Sequence, residues 1–457
     1  MASFPQHITS LRPTKADLSH RRWIYIPYDR FTDRTGPLTD QPASDTGIVI
    51  VESTAKALRR PYHKKKLVLL ISNMRHFALE QAARGVSVLY HFTPGSHGQG
   101  LLDLQQHHDV PQLTIMKPAE RELRLDLATA IAAGLKLHQV PDTTWLSQTE
   151  DFLGIYGDWR QGKSYVMDRF YRRMRQKSGI LMERGKPIGG QFSFDPDNRN
   201  PYKGEVPVPR PPLFSPNSLT EEVIAYVNEQ YGHHFGSIEN FNLPCTQPDS
   251  DALWQFALKQ LLPFFGPFED AMRDDQQQLF HSQTSPLLNL SRLLPLTLVR
   301  DVAAAAAEGT VPLASAEGFI RQLLGWREFM RHLHEQTDGY RLIDAPREQR
   351  PRPQELSPNL PPNSTAVAAA YPPPPTSLLS AALPTSVVLP TEAGASGERT
   401  CSLEWEGEAA TEEPASLPGT KPVISTKAEP QGRDPLLSSL SSRPKAQRSE
   451  AEAERPL

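Results

Sequence analysis

Cysteine is scarce in this chain of 457 residues, which has only Cys245 and Cys401. Two cysteines exclude a disulfide framework, a four-cysteine zinc site and a cysteine-ligated iron–sulfur cluster, and they indicate a reducing compartment. No run of about 18 apolar residues occurs, and residues 1–15 lack an apolar segment of the signal-peptide type. We therefore expect a cytoplasmic protein that does not enter a membrane.

Aromatic side chains are nearly absent from the end of the chain. Residues 345–457 hold 19 of the 44 prolines but only two aromatic residues, Tyr371 and Trp405. Such a segment buries too little apolar surface to offset the entropy that is lost when it becomes ordered. We predict a disordered, proline-rich tail over residues 342–457.

The net charge of −3 is small and conceals a basic window. Between residues 159 and 210, twelve Lys and Arg residues stand against five Asp and Glu residues. The window includes Arg172, Arg173 and Arg175, with several aromatic residues between and around them. Positive charge interleaved with aromatic residues suits phosphate contacts and base stacking in nucleic acid, whereas the alternative is a solvated basic face.

The first 150 residues alternate five short apolar runs with amphipathic helical stretches. The runs lie at residues 23–26, 47–51, 86–92, 113–116 and 135–140. This alternation predicts an α/β domain with a doubly wound parallel sheet over residues 20–145. A basic interdomain linker over 146–218 and a partial, all-helical domain over 219–341 are predicted to follow, because the period becomes helical from about residue 220.

Two acidic residues follow strand runs in the predicted sheet. Asp29 comes after the first run and Glu52 ends the second, where ligands of such sheets bind. Their carboxylates could accept hydrogen bonds from ring N–H or hydroxyl groups, or they could be ordinary loop acids that cap helices. Farther on, Lys64, Lys65 and Lys66 begin a helix, where three positive charges oppose the helix dipole. Either a functional reason or a solvated face would account for them.

Two segments of the helical region carry candidate site residues. His281, Ser282 and Ser285 precede a helix that is predicted to begin near Pro286, and this arrangement suits either an anion site or an ordinary helix cap. A later helix, predicted to begin after an N-cap at Ser315, is a salt-bridged core or the wall of a cofactor pocket. This helix carries the aromatic residue Trp326 and the charged residues Arg321, Arg327 and Glu328.

Several motifs in this order resemble those of DNA photolyases and cryptochromes. Residues 281–288 (His-Ser-Gln-Thr-Ser-Pro-Leu-Leu) are similar to the Thr-Ser-x-x-Ser-Pro-x-Leu flavin-phosphate motif, and residues 319–329 contain the Trp-Arg-Glu helix signature. Other segments resemble the photolyase-related branch, which comprises the prokaryotic (6-4) photolyases and the iron–sulfur bacterial cryptochromes. These segments are residues 62–66, 73–77, 170–175 and 189–195.

The resemblance implies an antenna domain, a linker and a helical FAD domain that binds damaged DNA as a monomer. The antenna would be 6,7-dimethyl-8-ribityllumazine, held by Asp29 and Glu52, and Glu52→Ala is then expected to release it with little loss of stability. The implied FAD contacts are His281, Ser282, Ser285, Trp326 and Arg327. The implied DNA contacts are Arg172, Arg173, Arg175 and Glu328.

The activity implied by the resemblance is light-driven repair of a pyrimidine dimer or (6-4) lesion, or blue-light sensing. In the family, the helical pattern continues past the Trp-Arg-Glu helix with paired histidines, an aromatic chain and cluster cysteines. Here no histidine follows His334, and Cys401 stands alone. We therefore expect weak or absent FAD binding, no iron–sulfur cluster and impaired repair. The alternative is a non-catalytic protein that binds a chromophore and DNA.

Overall fold

The computed structural model describes residues 3–39, 42–157 and 165–342. The predicted tail lies outside these residues except for Leu342, so its disorder stays a prediction. Among the described helices, none is both long enough and apolar enough to cross a membrane.

The first domain is built on a five-stranded parallel sheet, as the alternating apolar runs predict. Its strand order is β3-β2-β1-β4-β5, and every neighbouring pair is parallel. Parallel strands that are buried on both faces read as continuous apolar runs, which is why each run marks a strand. The strands are β1 (Arg22–Tyr25), β2 (Thr46–Ser53), β3 (Ser87–Thr93), β4 (Leu113–Met116) and β5 (Leu137–Val140).

Helices cover both faces of the sheet. One face, with Ile48 and Ile50, packs against α4 and α1, and the other, with Val49 and Val51, packs against α5 and α6. The helices of this domain are α1 (Phe4–Ser10), α2 (Lys15–His20), α3 (Thr54–Leu58), α4 (Lys64–Ala83), α5 (His97–His107) and α6 (Arg121–Ala132).

The second domain is helical around one large apolar core. Two π-helical stretches, residues 257–261 and 321–327, interrupt its longer helices. Its helices are α7 (Thr149–Tyr156), α8 (Met167–Ser178), α10 (Gln247–Phe256), α11 (Leu262–Phe265), α12 (Ser285–Asn289), α13 (Pro295–Ala307), α14 (Leu313–Ile320) and α15 (Glu328–Gln336).

The cores of the two domains do not follow the predicted boundaries. Helices α7 and α8 fall within the predicted linker, yet Phe152 and Phe170 lie in the core of the helical domain. Conversely, α9 (Ser218–Gln230), which was predicted in the helical domain, packs on α4 and buries Val223 and Val227 with the sheet. The linker is therefore part of the second domain, and α9 completes the first.

Two predicted helices differ in detail from the observed ones. The helix predicted to begin near Pro286 is observed as the short α12, which is separated from α13 where Ser291 adopts a left-handed backbone with a φ of 58°. Ser315 is not the N-cap of α14, which begins at Leu313. Its buried hydroxyl instead accepts a hydrogen bond from the Gly266 N–H at 2.9 Å.

Candidate functional sites

A polar cluster lies at the carboxyl ends of the strands, where the strand order reverses at β1. On one side of β1 the sheet continues through β2 to β3, and on the other side it continues through β4 to β5. Ligands of open α/β sheets bind in the crevice at this switch point. We name this group the sheet-edge cluster, and its members are Tyr25, Tyr28, Asp29, Lys56, His97 and Glu120.

Tyr28 and Glu120 of the cluster contact Lys56 directly. Its ammonium group donates to the Tyr28 hydroxyl at 3.2 Å, forms an ion pair with Glu120 and lies 4.9 Å from the centre of the Tyr28 ring. The buried imidazole of His97 lies 4.9 Å from the same ring, centre to centre. The cluster thus combines a cation, carboxylates and aromatic faces in one place.

Three buried oxygen atoms of this cluster have no hydrogen-bond partner within the described part of the chain. They are Tyr25 Oη, Asp29 Oδ1 and Glu120 Oε2. A buried polar atom without a partner costs free energy, and such atoms are rare in folded proteins. Three of them together point to a missing partner that carries N–H or O–H donors.

Burial shifts the pKa values of the ionisable groups in the cluster. It raises the pKa of Glu120 to about 7 and lowers that of Lys56 to about 8. Burial also raises the pKa of Asp29 and lowers that of His97 to about 4. The imidazole is therefore neutral near pH 7, and the cluster holds a carboxyl group that can exchange a proton there.

Glu120→Gln is expected to remove part of the pH dependence of stability on the acid side. Because the pKa of Glu120 rises from 4.5 to about 7 on folding, its contribution to stability is complete below pH 4.5 and is lost as the pH rises through 7. The melting temperature of the wild type, relative to that of the variant, should therefore fall across this range. The exposed Glu150→Gln serves as the control, and parallel pH profiles for wild type and Glu120→Gln would contradict the prediction.

Glu52 does not join the sheet-edge cluster. Its side chain lies on the α4 face of the sheet, where both carboxylate oxygens accept from Arg75 at 2.8 and 3.0 Å. The Tyr90 hydroxyl donates to the same carboxylate, and the Glu52 side chain is only 5% exposed. Since its oxygens are engaged by protein groups, we replace Glu52 with Glu120 as the second candidate carboxylate.

Sequence reasoning missed Lys56, Glu120 and His97. Lys56 lies three residues after the end of β2, Glu120 lies four residues after the end of β4, and His97 lies four residues after the end of β3. The rule that ligands bind after strand ends would have found them if the search had extended one helical turn further.

A ladder of side chains leads from the cluster to the helical domain. Arg30, next to Asp29, pairs with Asp142 at 2.6 Å, and Asp142 accepts from the indole N–H of Trp145 at 2.9 Å. The guanidinium of Arg327 stacks on the Trp145 ring at 3.8 Å from its centre. The two candidate cofactor regions are therefore physically connected.

Arg327 is the predicted flavin contact whose guanidinium is incompletely hydrogen-bonded, with Glu328 as an ion-pair partner 3.8 Å from its Nη1. Its Nη1 is buried without a hydrogen-bond partner among the described residues, and its Nη2 lies 3.5 Å from the carbonyl oxygen of Leu288 in α12. Burial lowers the pKa of Arg327 to about 10. A buried donor next to α12 suits an anionic group.

The predicted phosphate contacts lie at the start of α12. His281 and Ser285 are exposed, whereas Ser282 is half-buried and its hydroxyl lies 2.9 Å from that of Thr284. Trp326 is half-buried, with its ring 6.3 Å from that of Phe329. Ser285 and Leu288 both belong to α12, so the predicted phosphate contacts and Arg327 meet at this helix.

Glu328 has a buried structural position, which differs from the exposed position that a contact with DNA would need. The side chain is fully buried and accepts from the Leu146 N–H at 3.0 Å and the Ser147 N–H at 3.1 Å. The Ser147 hydroxyl donates to it at 2.6 Å. Nearby, Arg321 pairs with Asp195 at 2.6 Å. For Glu328 and Arg321, the salt-bridged-core alternative therefore holds.

The basic window divides into exposed and buried arginines on α8. Arg172 and Arg173 are exposed, together with Arg169, beside a shallow groove on the surface. Arg175 is fully buried and donates to the carbonyls of Ile180 and Leu181 and to that of Phe192. Because the guanidinium faces the protein interior, this position does not favour the predicted contact of Arg175 with DNA.

Comparison with known proteins places these features in context. Residues 24–243 match the family described as deoxyribodipyrimidine photo-lyase-related protein. A "(6-4) photolyase" from Agrobacterium fabrum (strain C58 / ATCC 33970) is 34% identical over 318 residues, which are 68% of this chain. The chain spans 62% of the length of that relative.

Proposed function

Because the chain is a photolyase-related protein, we propose that it holds a light-absorbing heteroaromatic chromophore at the sheet edge and binds DNA through its helical domain. The observation that carries this proposal is the set of three oxygens in the sheet-edge cluster, of Tyr25, Asp29 and Glu120, that make no hydrogen bond among the described residues, together with the Lys56 ammonium group. A ligand with several N–H or O–H donors and at least one acceptor would satisfy all four groups.

A ribityllumazine has this chemistry. Its ribityl hydroxyls could donate to Asp29 and Glu120, and a ring carbonyl could accept from Lys56 in place of the present ion pair. The rings of Tyr28 and His97 offer flat apolar surface to the heterocycle. 6,7-Dimethyl-8-ribityllumazine is therefore the ligand that we propose for this site.

FAD is the second cofactor that the family implies. The residues that would hold it are Ser282 and Ser285, through their hydroxyls, and Arg327, through the buried Nη1 that makes no hydrogen bond among the described residues and lies 3.8 Å from Glu328 Oε1. When bound, the flavin supplies light-driven electron donation to a lesion in DNA, and the protein supplies position and electrostatics. The Trp145 ring orients Arg327 by stacking on its guanidinium. Repair of a pyrimidine dimer or a (6-4) lesion, or light sensing, is the proposed use of this site.

The DNA surface that we propose is the exposed face of α8. Arg169, Arg172 and Arg173 lie side by side there, and Arg172 is held by an ion pair with Asp168 at 2.6 Å. Exposed guanidinium groups on one helical face suit contacts with successive phosphates.

The double variant Arg172→Gln, Arg173→Gln is expected to weaken binding to duplex DNA and to flatten its salt dependence. Each lost phosphate contact lowers the slope of log K against log salt by about 0.9, so the change is up to about 1.8. Titration of a labelled duplex at several salt concentrations measures the slope. Lys15→Gln, Arg22→Gln is a matched control on the first domain, and an equal slope for wild type and the α8 variant would leave α8 as a solvated face.

The absorption spectrum and extracted cofactors of the purified protein test the proposed function. Bound lumazine together with FAD, and repair of a lesion-bearing oligonucleotide under blue light, would support a photolyase. Lumazine without FAD, even after FAD is added, would support the non-catalytic chromophore- and DNA-binding alternative and the weak FAD binding expected from the sequence. If neither the wild type nor the reconstituted protein binds a chromophore, the proposal is wrong.

A further inference from the structure

A basic surface on the first domain shares no residue with the sites described above. We name it the α4 basic patch, and it consists of Arg59 and Arg60 after α3 and of Lys64, Lys65 and Lys66 at the start of α4. Arg59 and Lys66 are exposed, and the other three are partly exposed. Within the part of the chain that the structure describes, none of the five forms an ion pair with a carboxylate.

The position of the three lysines is electrostatically unfavourable. They occupy the first turn of a 20-residue helix that has no acidic residue in that turn. The positive end of the helix dipole adds to their mutual repulsion. None of the three lysines forms an ion pair with a carboxylate among the described residues, so they present a concentrated positive potential to solvent.

Aromatic side chains accompany the positive charge. Phe235 is 57% exposed, and its ring meets that of His63 edge to face, with the centres 5.3 Å apart. The Lys64 N–H donates to the Phe235 carbonyl at 3.0 Å, and a side chain on Gly236 would overlap the His63 ring. Phe235 is therefore held by the backbone beside the lysines although its ring faces water.

We propose that the α4 basic patch binds the phosphate backbone of nucleic acid, with Phe235 available to stack on an unpaired base. Concentrated, unneutralised cations beside an exposed aromatic ring are the features of sequence-independent nucleic-acid surfaces. The patch uses no residue of α8. It extends the proposed DNA binding to a second surface, and it does not depend on lesion recognition or on a cofactor.

The test compares the full chain with the variant Lys64→Gln, Lys65→Gln, Lys66→Gln. Binding of undamaged duplex and single-stranded DNA is measured at several salt concentrations. The slope of log K against log salt should become shallower by up to about 2.7, since each phosphate contact adds about 0.9. The variant should also melt at the same or a higher temperature, because charges that oppose the helix dipole are removed. Phe235→Ala should weaken binding to single strands more than to duplexes.

The matched control is Lys15→Gln, Arg22→Gln, Lys136→Gln. These three exposed cations lie at or before the starts of α2, β1 and β5, and Arg22 and Lys136 are at the opposite edge of the sheet from the patch. An unchanged slope in the lysine variant, or an equal change in the control, would overturn the inference. Binding of poly-glutamate, which stands in for an acidic protein, is measured in parallel. If the lysine variant loses poly-glutamate binding but binds DNA as the wild type does, the inference is overturned and the patch is assigned to an acidic protein. Lesion preference, measured as the ratio of affinities for damaged and undamaged duplex, separately tests the proposed function.

Discussion

Glu52→Ala is expected to lower the free energy of unfolding by about 3–5 kcal/mol, the usual cost of removing one partner from a buried ion pair. The change leaves Arg75, whose side chain is 3% exposed, without its main acceptors. Arg75 is enclosed by the rings of Phe4 and Tyr226, each 5.0 Å from its guanidinium carbon. Water therefore cannot easily replace the lost carboxylate. This expectation reverses the prediction from sequence, which was loss of chromophore with little loss of stability.

Equilibrium unfolding in denaturant measures the effect. Exposed Glu229→Ala on α9 is the control, and it should change stability by less than about 0.5 kcal/mol. Replacing the pair together, as Glu52→Leu with Arg75→Met, should recover much of the loss, because an apolar pair of similar volume leaves no buried charge. A Glu52→Ala protein as stable as the wild type would show that Arg75 finds another partner.

Glu328→Ala is expected to have an effect of similar size, about 3–5 kcal/mol. The carboxylate accepts from two backbone N–H groups and from the Ser147 hydroxyl, and all of these would lose an acceptor in a dry interior. Arg331, whose Nη2 lies 3.5 Å from the same carboxylate, would lose one of its carboxylate partners and keep Glu335, which lies 3.6 Å from its Nη1. The loop after the sheet would then be held to α15 by fewer hydrogen bonds, because Ser147 would keep its contacts with Arg331 and His332.

Denaturant unfolding again gives the magnitude, with exposed Glu308→Ala as the control. Glu328→Gln should cost less, because its amide oxygen keeps one acceptor. The salt dependence of DNA binding distinguishes a structural role of Glu328 from the DNA contact predicted from sequence. If the role is structural, a folded Glu328→Gln protein should bind DNA with the same salt dependence as the wild type. A large change in slope with unchanged stability would return Glu328 to the DNA interface.

The parallel sheet was predictable because buried strands leave an uninterrupted apolar run, and all five runs became strands. Asp29 was found by the same logic. Burial of charged residues was harder to foresee, although α8 carried a signal. Its buried stripe runs through Phe170, Tyr171 and Met174 at helical spacing, and Arg175 lies on that stripe four residues after Tyr171. The count of charged residues between 159 and 210 does not reveal this periodicity.

The partners of Glu52 and Glu328 could not be read from the sequence. Arg75 is 23 residues from Glu52, and the N–H groups that bind Glu328 are about 180 residues away. Such pairings depend on how helices pack, which local patterns do not specify. Convergence of Lys56 and Glu120 on one point depends in the same way on the strand order, because β1 alone lies between β2 and β4.

Helix α9 packs on the first domain although it follows α7 and α8 in the chain, and this limits where the chain can be cut into separate domains. The polypeptide leaves the sheet, builds α7 and α8 into the helical core, comes back to cover α4 and then re-enters the helical domain. A fragment that stops at residue 145 would lack Val223, Val227 and Tyr231 and would expose the face that they cover. The two domains are interleaved along the chain. A fusion protein that contains the sheet domain would therefore need two separate segments of this chain, one with the sheet and one with α9.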